Sequence, residues 1–234
     1  QQTIKDRDIA HEATLRQEQE KIRIKRQLTN NINHELKTPV ASIQVCLETL
    51  LSGINLSEEK RQELIERCYS HNERLRRLLG DVSLITRMED GSQLISREPI
   101  DINSIIDEIG DELEIMPEDE RFTLHVDFDG HVMINGNLSL IASIFRNLTE
   151  NAIAYSGGRN IYISLVENND DYCRIQFEDD GCGVDDEQLS RLFERFYRVD
   201  KGRSRQMGGT GLGLSIVKHA VQFHGGVITV DNRP

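Results

Sequence analysis

The chain has 234 residues, with 28 Lys+Arg against 40 Asp+Glu and a formal net charge of -12, which is enough polypeptide for one large domain or two modest ones. Hydrophobic residues make up 37% and charged residues 29%, so there is apolar material for a packed core but no run of about 18 uncharged apolar residues to span a bilayer. Residues 1–100 carry 16 basic and 16 acidic side chains and residues 101–234 carry 12 and 24. The acidic second part argues against a nucleic-acid binder, which needs a basic face.

Residues 4–28 are rich in Gln, Glu, Lys and Arg without Gly or Pro, and predict a helix. An apolar stripe then runs Leu28, Ile32, Leu36, Val40, Ile43, Leu47, Leu50, Ile54 at spacings of three and four. A break at Ser52 to Ser57 precedes a second helix with Glu58 and Glu59 in its first turn. Its stripe, Leu64, Cys68, His71, Leu75, Leu78, Val82, Ile85, alternates four and three, the spacing of a left-handed bundle seam. Two such helices cannot bury both faces alone, so the pattern predicts a homodimer in which two hairpins form a four-helix bundle.

From about Pro99 the pattern changes. Residues 100–115 predict a helix capped by Asp101, residues 122–128 a strand, and residues 138–155 a helix. Residues 161–166 and 173–178 predict strands joined by a turn at 167–170. Helices are predicted over 189–196 and 212–223, with a last strand over 227–230. Strands in hairpins mixed with helices predict an α+β sandwich with helices on one face of a mixed sheet. The fold expected of the whole is therefore multi-domain, an α-helical hairpin in a dimeric bundle followed by an α/β sandwich. The chain starts inside a helical pattern without an initiating Met, which predicts a piece of something longer.

Several groups carry chemistry. His34 lies in Asn33-His34-Glu35-Leu36-Lys37-Thr38-Pro39, two positions past Ile32 and so pointing away from the apolar stripe. Glu35 can hold one ring N–H and leave the other nitrogen as a nucleophile. Pro39 deprives the Glu35 carbonyl of its helical partner. The run lacks the second histidine of H-E-x-x-H, which excludes a metalloprotease of that kind. Asn147 and Asn151, four apart on one helix face and followed by Tyr155, project two amides into one place, and an amide oxygen suits Mg²⁺. In Asp179-Asp180-Gly181-Cys182-Gly183 a carboxylate stands at a strand end beside permissive backbone. Gly208-Gly209-Thr210-Gly211-Leu212-Gly213-Leu214 opens a helix and offers N–H groups to phosphate. Before it, Arg191, Arg195, Arg198, Lys201, Arg203 and Arg205 face only Glu194 and Asp200, a local cationic segment in an acidic domain. The glycine run follows a polar loop instead of a strand, unlike a dinucleotide fingerprint, and no V-A-I-K, H-R-D or D-F-G set occurs. Cys46, Cys68, Cys173 and Cys182 form no C-x-x-C pair, which argues against zinc or a disulfide framework and suits reduced thiols in a cytosolic setting.

Taken in order, His34 to Pro39, Asn147-x-x-x-Asn151, Asp179-x-Gly181-x-Gly183, Phe193-Glu194-Arg195-Phe196-Tyr197 and Gly209 to Leu214 closely resemble the boxes of a two-component sensor histidine kinase over roughly residues 25–230. The resemblance implies a signalling helix over 1–24, a dimerisation and histidine phosphotransfer hairpin over 25–95, and an ATP-binding domain of the gyrase, Hsp90 and MutL type over 96–234. It implies autophosphorylation of His34 from MgATP, with Glu35 as its acid/base or orienting partner, and transfer to an Asp of a response regulator. Thr38 would position water for removing phosphate from that partner. Asn151 would ligand Mg²⁺, supported by Asn147, while Tyr155 would pack on the base and Asp179 would recognise the adenine amine. Arg198 and the residues Gly209, Thr210, Gly211, Leu212, Gly213 and Leu214 would meet the phosphates; Gly181 and Gly183 let the backbone approach the nucleotide, and the basic segment resembles the ATP lid. The parent protein would be a bacterial inner-membrane sensor whose cytoplasmic portion this is. Ala154 stands where the family often has Lys or Arg, and the chain ends before the last expected strand. The alternatives are a gyrase- or chaperone-like ATPase, which would carry Glu where Asn147 stands, a dimeric nucleotide-binding scaffold, and a phosphatase-dominant homologue with weak kinase activity.

Overall fold

A computed structural model describes residues 2–89, 96–169, 171–199 and 209–233, in two compact units, 1–80 and 81–234. The first unit is a helical hairpin. Helix α1 (Gln2–Leu51) runs unbroken through Pro39, and α2 (Glu58–Glu89) begins where the Lys60 N–H donates to Ser57 Oγ at 3.3 Å. On α2 the predicted seam is borne out: Leu64, Leu78 and Ile85 are buried. The α1 stripe is only partly so. Leu28, Ile32, Leu36, Ile43 and Leu50 are half-buried, whereas Val40 and Leu47 stay 51% and 46% exposed and Ile54 is exposed as well; the fully buried positions, Pro39 and Cys46, lie one residue before Val40 and Leu47, off the predicted stripe. One neighbouring helix can cover only one edge of a stripe this wide, and the other edge needs a further helix.

The second unit is α+β. Helix α3 (Ile102–Glu114) is capped by Asp101, whose carboxylate accepts from the Asn103 N–H at 3.1 Å, and buries Ile102, Ile105, Ile106, Ile109 and Leu113 along one face. Each such side chain contributes roughly 1.5–3 kcal/mol by leaving water. Strands β2 (Thr123–Asp127), β4 (Asn160–Asn168) and β5 (Cys173–Asp179) form a mixed sheet in the order β2-β4-β5, parallel between β2 and β4 and antiparallel between β4 and β5. Ile161 and Ile163 of β4 are fully buried in the core with α3, Phe122, Ile141 and Phe145. Helix α4 (Leu138–Asn151) packs on α6 (Gly213–Phe223).

Four local expectations are corrected. A small antiparallel pair, β1 (Glu98–Asp101) with β3 (Met133–Gly136), escapes the periodicity because four residues containing Pro99 or Gly136 give too little alternation to read. The helix expected over 138–155 ends as α at Asn151 and continues as a π turn over Ala152–Ser156, which changes the angular phase of Tyr155 relative to Asn147 and Asn151. The helix expected over 189–196 is only α5 (Asp186–Leu189) followed by turns. Phe196 sits at φ 61° and its N–H donates to Gly211 O at 2.7 Å, so the chain turns to the glycine loop and cannot remain helical. Residues 227–230 form no strand; this segment has no ladder partner among the described residues, and Asn232 instead donates from Nδ2 to Val184 O and accepts from Val184 N. Within the predicted 167–170 turn, β4 extends to Asn168 and Asp170 lies outside the described residues.

Candidate active site

In the hairpin, His34 projects from α1 with its side chain 69% exposed, as its position off the apolar stripe predicts. Glu35 does not close a hydrogen bond to it: Glu35 Oε1 stands 3.9 Å from His34 Nδ1, while Oε2 accepts from Arg74 Nη2 on α2 at 2.9 Å. Thr38 is exposed one turn further along α1. Arg74 went unread in the sequence because a partner across a hairpin has no fixed spacing.

In the second unit, a different set converges. The Asn147 Nδ2 donates to Ser143 O at 2.8 Å, and its Oδ1 would lie 2.6 Å from a Cβ at Gly213, so only a glycine lets the start of α6 come this close to α4. Asn151, half-buried one turn on, makes no amide hydrogen bond with any described residue. Its oxygen is thus available to a hard cation, the ligand chemistry Mg²⁺ requires. Tyr155 follows, half-buried, on the π turn.

The loop after β5 separates two adjacent carboxylates that the sequence leaves equivalent. Asp180 accepts from the Arg159 and Asn160 N–H groups at 2.7 and 2.8 Å and from Asn160 Nδ2 at 2.7 Å. These bonds, the Asn160 side chain foremost, hold its carboxyl down from 3.8 to about 2. Asp179, exposed like Asp180, accepts among the described residues only the Gly181 N–H, on Oδ1 at 3.0 Å. A Cβ at Gly181 would sit 2.4 Å from Ser156 Cβ and 2.6 Å from Asp179 Oδ1, so glycine here keeps Asp179 against the end of the π turn. Gly183, at φ +69°, turns the chain toward Asn232. A carboxyl depressed in the folded protein stabilises it above its unfolded value and loses that contribution as pH falls from about 4 toward 2. Asp180→Asn is therefore expected to lower the urea midpoint at neutral pH and to flatten its fall between pH 4 and 2. Parallel curves for the two proteins across that window would contradict the assignment.

The glycine loop is built against the 193–198 corner. Gly211, at φ +72°, would bring a Cβ to 3.0 Å from Phe196 Cα, and Arg198 Nη2 donates to the Gly209 carbonyl. Thr210 Oγ1 accepts from the Leu212 N–H at 3.2 Å, Leu212 is buried, and Gly213 and Leu214 open α6. Arg191 pairs with Glu194 at 3.2 Å and lies over the Tyr197 ring. Arg195 Nη2 donates to His219 Nε2 at 2.8 Å while His219 Nδ1 donates to Ser215 O at 2.6 Å; because arginine can only donate, this ring is neutral with its proton on Nδ1. His219 was not singled out in the sequence, and an i−4 carbonyl on the same helix is its only local signal. Lys201, Arg203, Arg205 and Gly208 lie outside the described residues. All four cysteines are free, and among the described residues no helix is long and apolar enough to cross a membrane.

Comparisons with known proteins place two family domains in the chain. Residues 24–91 match the family model of the His Kinase A (phospho-acceptor) domain, and residues 136–234 match that of the histidine kinase-, DNA gyrase B- and HSP90-like ATPases. The chain is 34% identical over 229 residues to the sensor protein kinase WalK of Staphylococcus aureus, covering 94% of this chain and 53% of that protein. Against WalK of strain JH9 it covers 36% at the same identity, so the chain spans about half or less of the curated relatives it matches. The fold is similar to that of the Acinetobacter baumannii histidine kinase AdeS, at TM-score 0.63 and 22% identity over 81% of this chain and 86% of that one. It is similar also to full-length ShkA, whose structure is a complex with AMPPNP, at TM-score 0.60 and 21% identity over 82% and 40%. With a match to the phosphoacceptor model followed by a match to the ATPase model, the chain carries the domains of a two-component histidine kinase catalytic core.

Proposed function

We propose that this chain is an ATP-dependent protein-histidine kinase that phosphorylates itself on His34 and passes the phosphoryl group to an aspartate of a response regulator. The observation that carries the reading is the exposed His34 beside Glu35 within the phosphoacceptor match. His34 Nε2 attacks the γ-phosphorus of ATP in line; the N–P bond forms as the bond to the β–γ bridging oxygen breaks, and its electron pair leaves on ADP. There is little covalent work left for the protein, so rate comes from positioning and from charge stabilisation.

In the nucleotide unit, Asp179 receives the exocyclic amine of adenine, Tyr155 packs on the base, and Asn151 holds Mg²⁺ with Asn147 bracing the helix face beside it. When bound, Mg²⁺ supplies charge neutralisation at the phosphates. Arg198 and the N–H groups of residues 209–214 meet the phosphate oxygens, with Gly181 and Gly183 allowing close backbone approach. Thr38 orients water for dephosphorylating the regulator. The exposed Val40 and Leu47 edge supports a homodimer, because a second hairpin would bury it. In this reading the parent protein is tethered to a bacterial inner membrane through a segment outside these 234 residues.

The test is incubation of the chain with γ-labelled ATP and Mg²⁺, followed by exposure of the labelled protein to acid and alkali. A phosphoramidate is lost in acid and survives alkali. No label, or label stable in acid, would overturn the kinase reading in favour of a nucleotide-binding scaffold.

A further inference from the structure

A threonine inside a helix commonly returns its hydroxyl to the carbonyl four residues back. Thr29, Thr49 and Thr86 do so here, donating to Lys25 O, Val45 O and Val82 O at 3.0, 2.8 and 2.8 Å. Thr149 of α4 does not: it is only 5% exposed, and its Oγ1 has no hydrogen-bond partner among the described residues. A buried hydroxyl left unpaired carries its full desolvation penalty. Thr149 lines a hollow of about 140 Å³, partly open to solvent, between α3 and α4. Ile109 and Leu113 of α3, Met116 just beyond it and Ile153 of the π turn supply apolar walls. Arg146 and Glu112 border the same hollow, and Arg146 Nη1 donates to both Glu112 carboxylate oxygens at 2.7 and 2.9 Å. That cation is already neutralised, while Glu150, on the same lining, adds a negative charge. Thr149 is two residues from both Asn147 and Asn151, about 200° around the helix. The hollow therefore opens on the side of α4 away from the two amides.

We propose that the α3–α4 hollow is a binding site for a small neutral molecule with an apolar body the size of one ring and a single hydroxyl, an alcohol or phenol in class. Size, lining and charge each select it. A cavity of about 150 Å³ takes a benzene-sized ring, and the four apolar side chains supply its contact surface. A hydroxyl both donates and accepts, so the ligand's own can pair with Thr149 Oγ1 in either sense. A carboxylate is disfavoured, because the lining arginine is already paired and Glu112 and Glu150 repel an anion. Neither His34 nor the nucleotide residues enter this site, so its failure would leave the kinase reading intact, and the reverse holds as well.

The experiment titrates the full chain, labelled with nitrogen-15, with benzyl alcohol and with benzoate while backbone amide shifts are followed. Benzyl alcohol is expected to saturate with Kd on the order of 10 mM, the scale for so few heavy atoms, and to move amides within residues 109–116 and 146–153. Benzoate should bind at least about tenfold more weakly. Thr149→Val keeps the shape and removes the hydroxyl, so it should weaken benzyl alcohol about threefold or more and raise the urea midpoint. Met116→Trp, which fills the hollow, should remove the binding. Saturating MgADP should leave the affinity within about twofold, since the two sites lie on different sides of α4. Shifts scattered over the surface without saturation, benzoate binding as well as the alcohol, or unchanged affinity in both variants would overturn the proposal. So would displacement by MgADP, which would place the alcohol in the nucleotide site. A lowered urea midpoint in Thr149→Val would show that the hydroxyl already has a partner, with the same consequence.

Discussion

Replacing His34 with glutamine is expected to abolish acid-labile labelling altogether, by more than a thousandfold against the parent. Glutamine keeps the side chain polar and exposed but has no nitrogen lone pair capable of attacking phosphorus, since its amide nitrogen is delocalised. His34 is 69% exposed, so the substitution removes no packing and is expected to leave the melting temperature within experimental error. ATP binding should also be unchanged, because the candidate nucleotide residues lie in the other unit. Retained labelling in His34→Gln would move the phosphoacceptor elsewhere. His71, the half-buried histidine of the α2 seam, is a poor substitute: burial foremost, then Arg74 and Arg67, push its pKa below the usual 6.5.

Asn151→Ala is expected to be equally severe for phosphoryl transfer and much milder for fold. The Asn151 amide makes no hydrogen bond with any described residue, so alanine removes the proposed Mg²⁺ ligand and orphans no described protein group. Phosphotransfer should fall to background, and ATP binding should lose its dependence on Mg²⁺. Asp179→Asn should act differently, weakening binding of ATP, ADP and adenosine alike by about 1.5–3 kcal/mol, the range for a hydrogen bond to a charged group. Its neighbour gives the contrast. Asp180 is tied by three hydrogen bonds to residues 159 and 160, so Asp180→Asn should cost stability before it costs affinity. Calorimetry of the three variants with and without Mg²⁺ separates these outcomes. If Asn151→Ala transfers phosphate like the parent, or if Asp179→Asn affects ATP but spares adenosine, the proposed arrangement of the nucleotide site is wrong.

How much of this was legible in the chain depends on the range of the interaction involved. Helical periodicity is local, so the two hairpin helices, the α2 seam and the helix α3 with its Asp101 cap follow from residue type and spacing alone. The motifs around His34, Asn147 and Asn151, Asp179 and Gly209 to Leu214 are likewise contiguous, and their order along the chain is enough to point to the family. Contacts between distant segments obey no spacing. That Asp180 is a structural clamp while Asp179 keeps a single backbone bond among the described residues was decided by where β4 begins beside β5. That Glu35 turns to Arg74 was decided by how two helices pair. The end of the helical run before Phe196 came from its bond to Gly211, a residue fifteen positions away. Residues 227–230 form no ladder, and the chain beyond them is tied instead by Asn232 to Val184. Propensity and pattern describe what a segment can do with its own neighbours; which hydrogen bonds it finally makes is determined by the partners that packing brings to it, and those are visible only in the tertiary structure.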